Sequence, residues 1–240
     1  MHPKIPCSYY AVFDGHGGYQ CAQFLRDNLH LCLVKAFLKR KNSSKSDKGV
    51  TPGQSYCLLD AGSMADALAE SISEAFHEAD SLYRSRYGEL AKQCGSTAVV
   101  CMIMGQKLIC ANLGDARAVL CRDSSFVELS QDYKASRKDE QDRIKSQGGY
   151  IVFGRVLGRL AVTRAFGDFE CKQIAVKNEE TGEKELRNFV LCEPEVRVTT
   201  IDRQKDDFII LASDGLYDRF SSEDCINLAR QKFLHADLMD

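Results

Sequence analysis

Three aspartates stand beside glycines at the ends of apolar runs. They are Asp14 in Tyr10-Ala11-Val12-Phe13-Asp14-Gly15-His16-Gly17-Gly18, Asp115 after Leu108-Ile109-Cys110-Ala111-Asn112-Leu113-Gly114, and Asp214 in Phe208-Ile209-Ile210-Leu211-Ala212-Ser213-Asp214-Gly215. A buried strand that ends on a carboxylate holds that group rigidly, and carboxylate oxygens suit Mg²⁺ or Mn²⁺ rather than zinc. Glycine lets an ion and its waters approach the backbone, so the carbonyl of Gly15 is a further candidate ligand. A lone Asp-Gly is a common turn dipeptide. A turn does not require a histidine and three glycines after the aspartate, as Asp14 has. His16 can donate a proton to a leaving alkoxide. Ligation by His16 is the alternative, and the oxygen preference of these ions weighs against it. Asp14, Asp115, Asp214 and His16 together point to metal-assisted hydrolysis. No Gly-x-x-x-x-Gly-Lys-[Ser/Thr] loop occurs, and Gly95-Ser96-Thr97 does not match a nucleophile elbow.

The elements that must hold these residues follow from pattern. Residues 8–14 read as a strand rich in aromatic and β-branched types. Ala22, Leu25, Leu29, Leu33 and Phe37 recur at helical spacing, and the polar stretch Lys39–Gly53 is expected to be a surface loop. Ser63-Met64-Ala65-Asp66 resembles a capping box opening a second helix, whose apolar stripe is Met64, Leu68, Ile72, Phe76, Ala79 and Tyr83. His77, beside that stripe, is expected at the surface or satisfied by a partner. A β-meander follows over Thr97–Met104, Lys107–Asn112, Ala116–Cys121 and Phe126–Leu129, with Gly105-Gln106 as a hairpin turn. Arg137–Gln147 reads as a charged helix, Asn178–Asn188 as a charged loop, and Glu195–Ile201 and Asp207–Ala212 as strands. Ser221-Ser222-Glu223-Asp224 caps a terminal helix through Ile226, Leu228, Ala229 and Phe233. Sequential hairpins between helices indicate an α+β fold in a single domain over 1–240.

Composition narrows the class. At 240 residues the chain can bury one large core, and 44% hydrophobic with 28% charged residues is ordinary for a globular protein. A net charge of −2 argues against a general nucleic-acid binder. No apolar stretch approaches the ~20 residues that span a bilayer, and Met1-His2-Pro3-Lys4-Ile5-Pro6 lacks the apolar core of a secretion signal. None of the 11 cysteines forms a Cys-x-x-Cys pair, and most lie in apolar runs, as small buried hydrophobes of a reducing compartment do. A cytoplasmic or nuclear monomer is the expectation.

These residues resemble a known family. Tyr10-Ala11-Val12-Phe13-Asp14-Gly15-His16-Gly17-Gly18 is similar to the signature of the PP2C-type (PPM) metal-dependent protein serine/threonine phosphatases. Gly95-Ser96-Thr97-Ala98, Ala111-Asn112-Leu113-Gly114-Asp115-Ala116-Arg117, Leu160-Ala161-Val162-Thr163-Arg164-Ala165-Phe166-Gly167-Asp168, Glu193-Pro194-Glu195-Val196 and Phe208–Asp218 fit further motifs in family order. The resemblance implies a central antiparallel β-sandwich flanked by helices, a four-layer α-β-β-α arrangement. It implies two Mg²⁺ or Mn²⁺ ions bridged by a hydroxide that attacks a phosphoserine or phosphothreonine in line. Carried over, Asp14 bridges both ions, Gly15 lends its carbonyl, Asp214 binds the first ion, Asp115 helps hold a weaker third ion, and His16 protonates the leaving oxygen. Phosphorylated proteins are then the partners, and residues 133–154 resemble a flap beside the site that contributes to substrate choice. Tyr133-Lys134-Ala135 departs from the family's His-Lys-Pro there.

The pattern also breaks. The family carries a phosphate-binding arginine and an acidic pair before the first Asp-Gly, whereas this chain has no arginine or acidic residue before Asp14. The family's closing Gly-x-x-Asp-Asn is absent as well. The resemblance therefore implies a sandwich incomplete at both ends, with exposed edges prone to association. It leaves as an alternative a catalytically impaired, phosphatase-like module that binds phosphoproteins.

Overall fold

In the computed structural model the described residues are 7–46, 61–177 and 182–236. The first half contains β1 (Cys7–Val12), β2 (Gly15–His16), α1 (Gln20–Ser46), α2 (Ala61–Tyr87), β3 (Gly95–Ser96), β4 (Ala98–Met104), β5 (Lys107–Leu113), β6 (Arg117–Arg122) and β7 (Ser125–Glu128). After α3 (Lys138–Ser146) come three two-residue strands, β8 (Ile151–Val152), β9 (Arg155–Val156) and β10 (Phe166–Gly167). The hairpin β11 (Ile174–Lys177) with β12 (Lys184–Arg187) follows, then β13 (Glu195–Thr200), β14 (Asp206–Ala212), α4 (Asp214–Tyr217) and α5 (Ser222–Ala236).

Two antiparallel sheets form the centre, one ordered β1-β4-β5-β13 and the other β14-β6-β7. Alternation along each strand explains why they face one another. Val99 and Cys101 of β4, Leu108 and Cys110 of β5, and Ala118 and Leu120 of β6 share one core, against which Ile209 and Leu211 of β14 pack. The intervening residues point outward to helices. Ala98, Val100, Met102 and Met104 meet Leu25, Leu29, Phe76 and Tyr83 of α1 and α2. Val119, Cys121, Phe208 and Ile210 meet Ile226 of α5. Burying each such Leu, Ile or Phe contributes about 1.5–3 kcal/mol. The result is the expected order of helix, sheet, sheet, helix, with β1 and β14 as sheet edges among the described residues. A satellite core of Ala135, Ile144, Val156, Val162, Ala165 and Phe189 underlies the segment that carries α3, β8 and β9.

Local readings differ from the structure in three places. α1 continues to Ser46, so 39–46 is helical rather than loop; 47–53 lies outside the described residues. Lys39 pairs with Glu74, and Arg40 with Glu70, on α2, so these two side chains keep their charge in water while lying along a neighbouring helix. α2 is already helical at Ala61, so Ser63 stands inside it rather than at its cap. Residues 184–187, expected as loop, pair with β11 in register Ile174↔Arg187 to Lys177↔Lys184. Their charged side chains hid a two-stranded ribbon in which only Ile174 and Val176 of β11 pack against the satellite core. By contrast, Ser221 does cap α5: its Oγ accepts from the Asp224 amide at 3.1 Å, while Asp224 Oδ2 accepts from the Ser221 amide at 3.1 Å. His77, exposed, lies 2.8 Å from Glu193 Oε2.

Candidate metal centre and proton donor

β1 delivers Asp14 one residue beyond Phe13, where the chain turns into β2. The Asp14 carbonyl accepts from the Thr97 amide at 3.0 Å and from Ser96 Oγ at 3.1 Å. The Gly95-Ser96-Thr97 motif is thus the clamp that fixes the strand end bearing the carboxylate. Gly17 has φ +66°, and a Cβ there would sit 1.9 Å from the Gln93 carbonyl oxygen, so this glycine is a steric requirement of the turn. Asp214 opens α4, with Ser213 extended at φ −77°, ψ 175° in the cap position. Asp115 follows β5, where the Gly114 carbonyl accepts from the Tyr133 amide at 2.9 Å.

The two ends of the chain meet at these side chains. The Asp14 and Asp214 carboxyls are neighbours, and burial together with the charge of Asp214 raises the Asp14 pKa. Burial and Asp214 also push Asp115 up to about 6, against the pull of Lys134. Burial and a like-charged neighbour both disfavour the charged form of a carboxyl in this way. Lys134 itself is engaged with Asp218 at 2.8 Å. Among the described residues no three His, Cys, Asp or Glu side chains converge as a ligand group. The donor chemistry nevertheless suits a hard divalent cation: Asp14, Asp214 and Asp115 are neighbouring carboxyls, with no thiol or second imidazole among them.

His16 lies beside this cluster. Its Nε2 is 2.6 Å from Asp168 Oδ2, and its side chain keeps 29% of its exposure. Burial opposes its charge, yet Asp168, Asp14 and Asp115 outweigh that effect and hold its pKa above the ordinary value. The central strand β3 makes this contact possible. It pairs with β2 as Gly15↔Ser96 and His16↔Gly95, and with β10 as Phe166↔Ser96 and Gly167↔Gly95. Sequence reasoning quoted Asp168 as a motif residue and missed it as a site residue. The signal was there: Gly167-Asp168 is a fourth Gly-Asp or Asp-Gly pair at the end of an apolar run. Next to His16, a cleft of about 530 Å³ is lined by Lys92, Arg155, Arg159, Asp168 and Glu170 among others.

Comparison with known proteins bears on this arrangement. The protein-family model for Protein phosphatase 2C matches residues 1–240. Similar curated proteins include Probable protein phosphatase 2C 24 of Arabidopsis thaliana, 37% identical over 230 residues, covering 95% of this chain and 57% of the relative. Another is Probable protein phosphatase 2C 27 of Oryza sativa subsp. japonica, 34% identical over 233 residues, covering 96% and 57%. The chain therefore spans somewhat over half the length of these relatives. Among solved structures, a sex determining protein of C. elegans aligns with TM-score 0.68 and 26% identity, covering 93% of this chain and 47% of that one. Serine-threonine phosphatase 2C from Toxoplasma gondii aligns with TM-score 0.68 over 96% of this chain and 75% of that one; at 20% identity it speaks to the fold alone. With its motifs in order, its α-β-β-α layering and a family match over its whole length, this chain belongs to the protein phosphatase 2C family.

Proposed function

We propose that this chain carries the catalytic elements of a metal-dependent protein serine/threonine phosphatase. The observation that carries this reading is the meeting of Asp14 and Asp214, 200 residues apart in sequence, with His16 beside them. Asp14, the Gly15 carbonyl and Asp214 would hold Mg²⁺ or Mn²⁺, and Asp115 would serve a further, weaker ion. Bound divalent ions supply neutralisation of the phosphate charge and an activated water as nucleophile. The chain's own contributions are distinct from that chemistry. The β3 clamp fixes Asp14 in place. His16 holds the proton that the departing serine or threonine oxygen needs, and its neighbours Asp168, Asp14 and Asp115 favour the protonated ring. Phosphorylated proteins are the substrate class, with residues 133–154 bordering the approach.

The test is Mn²⁺-dependent release of phosphate from a phosphothreonine peptide, with Asp14→Asn as control. Equal rates in the two proteins, or turnover that survives chelator, would sink the reading. The lack of a converging three-residue ligand group among the described residues favours a second reading, a phosphoprotein-binding module without turnover. Phosphopeptide binding without Mn²⁺-dependent release would select it.

A further inference from the structure

His16 offers two ring nitrogens, and the fold commits one of them. Nε2 lies 2.6 Å from Asp168 Oδ2. A carboxylate only accepts, so this contact assigns Nε2 as the N–H that donates and leaves Nδ1 for chemistry. Asp168 is 5% exposed and sits at φ 53°, ψ 41°. Such a conformation in a residue other than glycine persists only where its surroundings hold it.

Those surroundings are visible. The amide of Gly167 donates to Asp80 Oδ1 at 2.7 Å. Lys172 Nζ donates to Asp80 Oδ2 at 2.7 Å and to the Ala165 carbonyl at 2.9 Å. Asp80, on α2, and Lys172 are each 6% exposed. A buried ion pair is a weak source of stability, because desolvation consumes most of what attraction returns. It is, however, a strong geometric restraint, and this one grips the chain on both sides of Asp168. Gly95 completes the arrangement from above. A Cβ at position 95 would stand 2.1 Å from Asp168 Oδ2 and 2.6 Å from His16 Nε2, so only glycine leaves the two side chains room to meet.

We infer that Asp168 is a positioning residue for His16, that the Asp80–Lys172 pair in turn positions Asp168, and that Nδ1 is the nitrogen that serves the leaving oxygen. The inference rests on His16 as the proton donor of the proposed phosphatase. In the step, a water oxygen bonds to phosphorus as the ester phosphorus–oxygen bond breaks, its electron pair going to the serine or threonine oxygen. The Nδ1 proton passes to that oxygen, and the Nε2 proton stays on the bond to Asp168. Asp168, Asp80 and Lys172 lie outside the proposed ligand set of Asp14, Gly15, Asp214 and Asp115, and the contact of Asp168 with His16 is their route to the chemistry.

Two measurements test this on the full chain. The first is a long-range ¹H–¹⁵N correlation spectrum of the imidazoles in the metal-free protein, with His16 identified by its loss in His16→Gln. Expected is the Nε2–H form in the wild type and a mixture of tautomers in Asp168→Asn. A dominant Nδ1–H form in the neutral wild-type ring overturns the inference, whether or not Asp168→Asn folds. The second compares substrates with poor and good leaving groups, a phosphothreonine peptide and p-nitrophenyl phosphate. Asp168→Asn should lower kcat on the peptide by roughly 10²-fold, the scale of general-acid catalysis, and on the aryl ester by less than about 3-fold. The double variant His16→Gln/Asp168→Asn should be no slower than His16→Gln alone. Equal losses on both substrates in Asp168→Asn, where His16→Gln discriminates between them, overturn the inference and leave the phosphatase reading intact. Equal losses in His16→Gln itself would instead remove His16 as the acid.

Discussion

Acidic side chains at two places in this molecule, half-buried Asp14 and Asp214 with buried Asp115 at one and buried Glu140 at the other, live in opposite surroundings. At the candidate metal centre, Asp14 and Asp115 face Asp214, and burial and that negative neighbour raise both their pKa values. Within residues 133–154, Glu140 of α3 is 3% exposed. It meets Arg143 at 2.8 Å and Arg164 at 3.0 Å. Burial alone would raise its pKa, but the two guanidiniums prevail and hold it below the usual value. Arg164 also stacks on Tyr133, 3.8 Å from the ring centroid, with Arg137 on the same ring at 4.3 Å. One group is compensated within the fold and the other is left in want of a cation. A chain that leaves acids uncompensated while pairing others so fully keeps the first group for a ligand and the second for architecture.

The largest effect should come from Asp14→Asn. Removal of one member of the acidic pair should cut Mn²⁺-dependent turnover by roughly 10³-fold, equivalent to several kcal/mol of lost stabilisation. The metal-free protein should melt no lower than the wild type, because a repulsion has been relieved. A lowered melting temperature would mean that Asp14 is architectural and would break the comparison. Glu140→Gln should do the reverse. It strands two arginines and should cost about 3 kcal/mol in urea unfolding, with the turnover of the folded fraction kept.

The two groups should also respond to pH with opposite sign. Asp115 titrates near 6 in the folded chain, above its unfolded value of about 3.8. The folded state therefore binds the extra proton, and stability is greatest below about pH 4 and declines as pH rises toward 6 and beyond. Asp115→Asn or added Mn²⁺ should flatten this limb. Glu140 is depressed in the folded chain, so its contribution is present above about pH 4.5 and is lost as pH falls below. Melting temperature measured from pH 3 to 8 on wild type, Asp115→Asn and Glu140→Gln separates the two limbs. The smallest effect is expected at the α1–α2 surface, where Arg40→Ala should cost no more than about 0.5 kcal/mol, since Arg40 and Glu70 lie in water.

Much of the fold could be read from pattern. Ala98–Met104 and Lys107–Leu113 read as strands from nearly unbroken apolar runs, which is what a strand covered on both faces requires. The helical spacing of Leu25, Leu29 and Leu33, and of Ile72, Phe76 and Tyr83, reports the face each helix buries. Pattern failed where burial did not act. The charged end of α1 is helical because helix propensity and pairing with α2 carry it past its apolar stripe. The β11–β12 ribbon half-buries Ile174 and Val176 together with the charged Glu185 and Arg187 on one face, and Leu186 stands on the exposed face, so no apolar-polar alternation marks β12.

The candidate site divides in the same way. The identities of Asp14, Gly15, His16, Asp115 and Asp214, and the class of ion they suit, follow from residue type and from the apolar runs before them. Those are local facts, because a carboxylate at the end of a buried strand is constrained by its own neighbours in sequence. That His16 is held by Asp168, and Asp168 by Asp80 and Lys172, is a fact of tertiary structure. His16 and Asp168 are 152 residues apart, and only β3, hydrogen-bonded to β2 on one side and β10 on the other, brings them to 2.6 Å. Side-chain chemistry sets what each residue can do, while strand pairing sets which residues act together, and pairing of segments so distant leaves no periodicity in the chain to announce it.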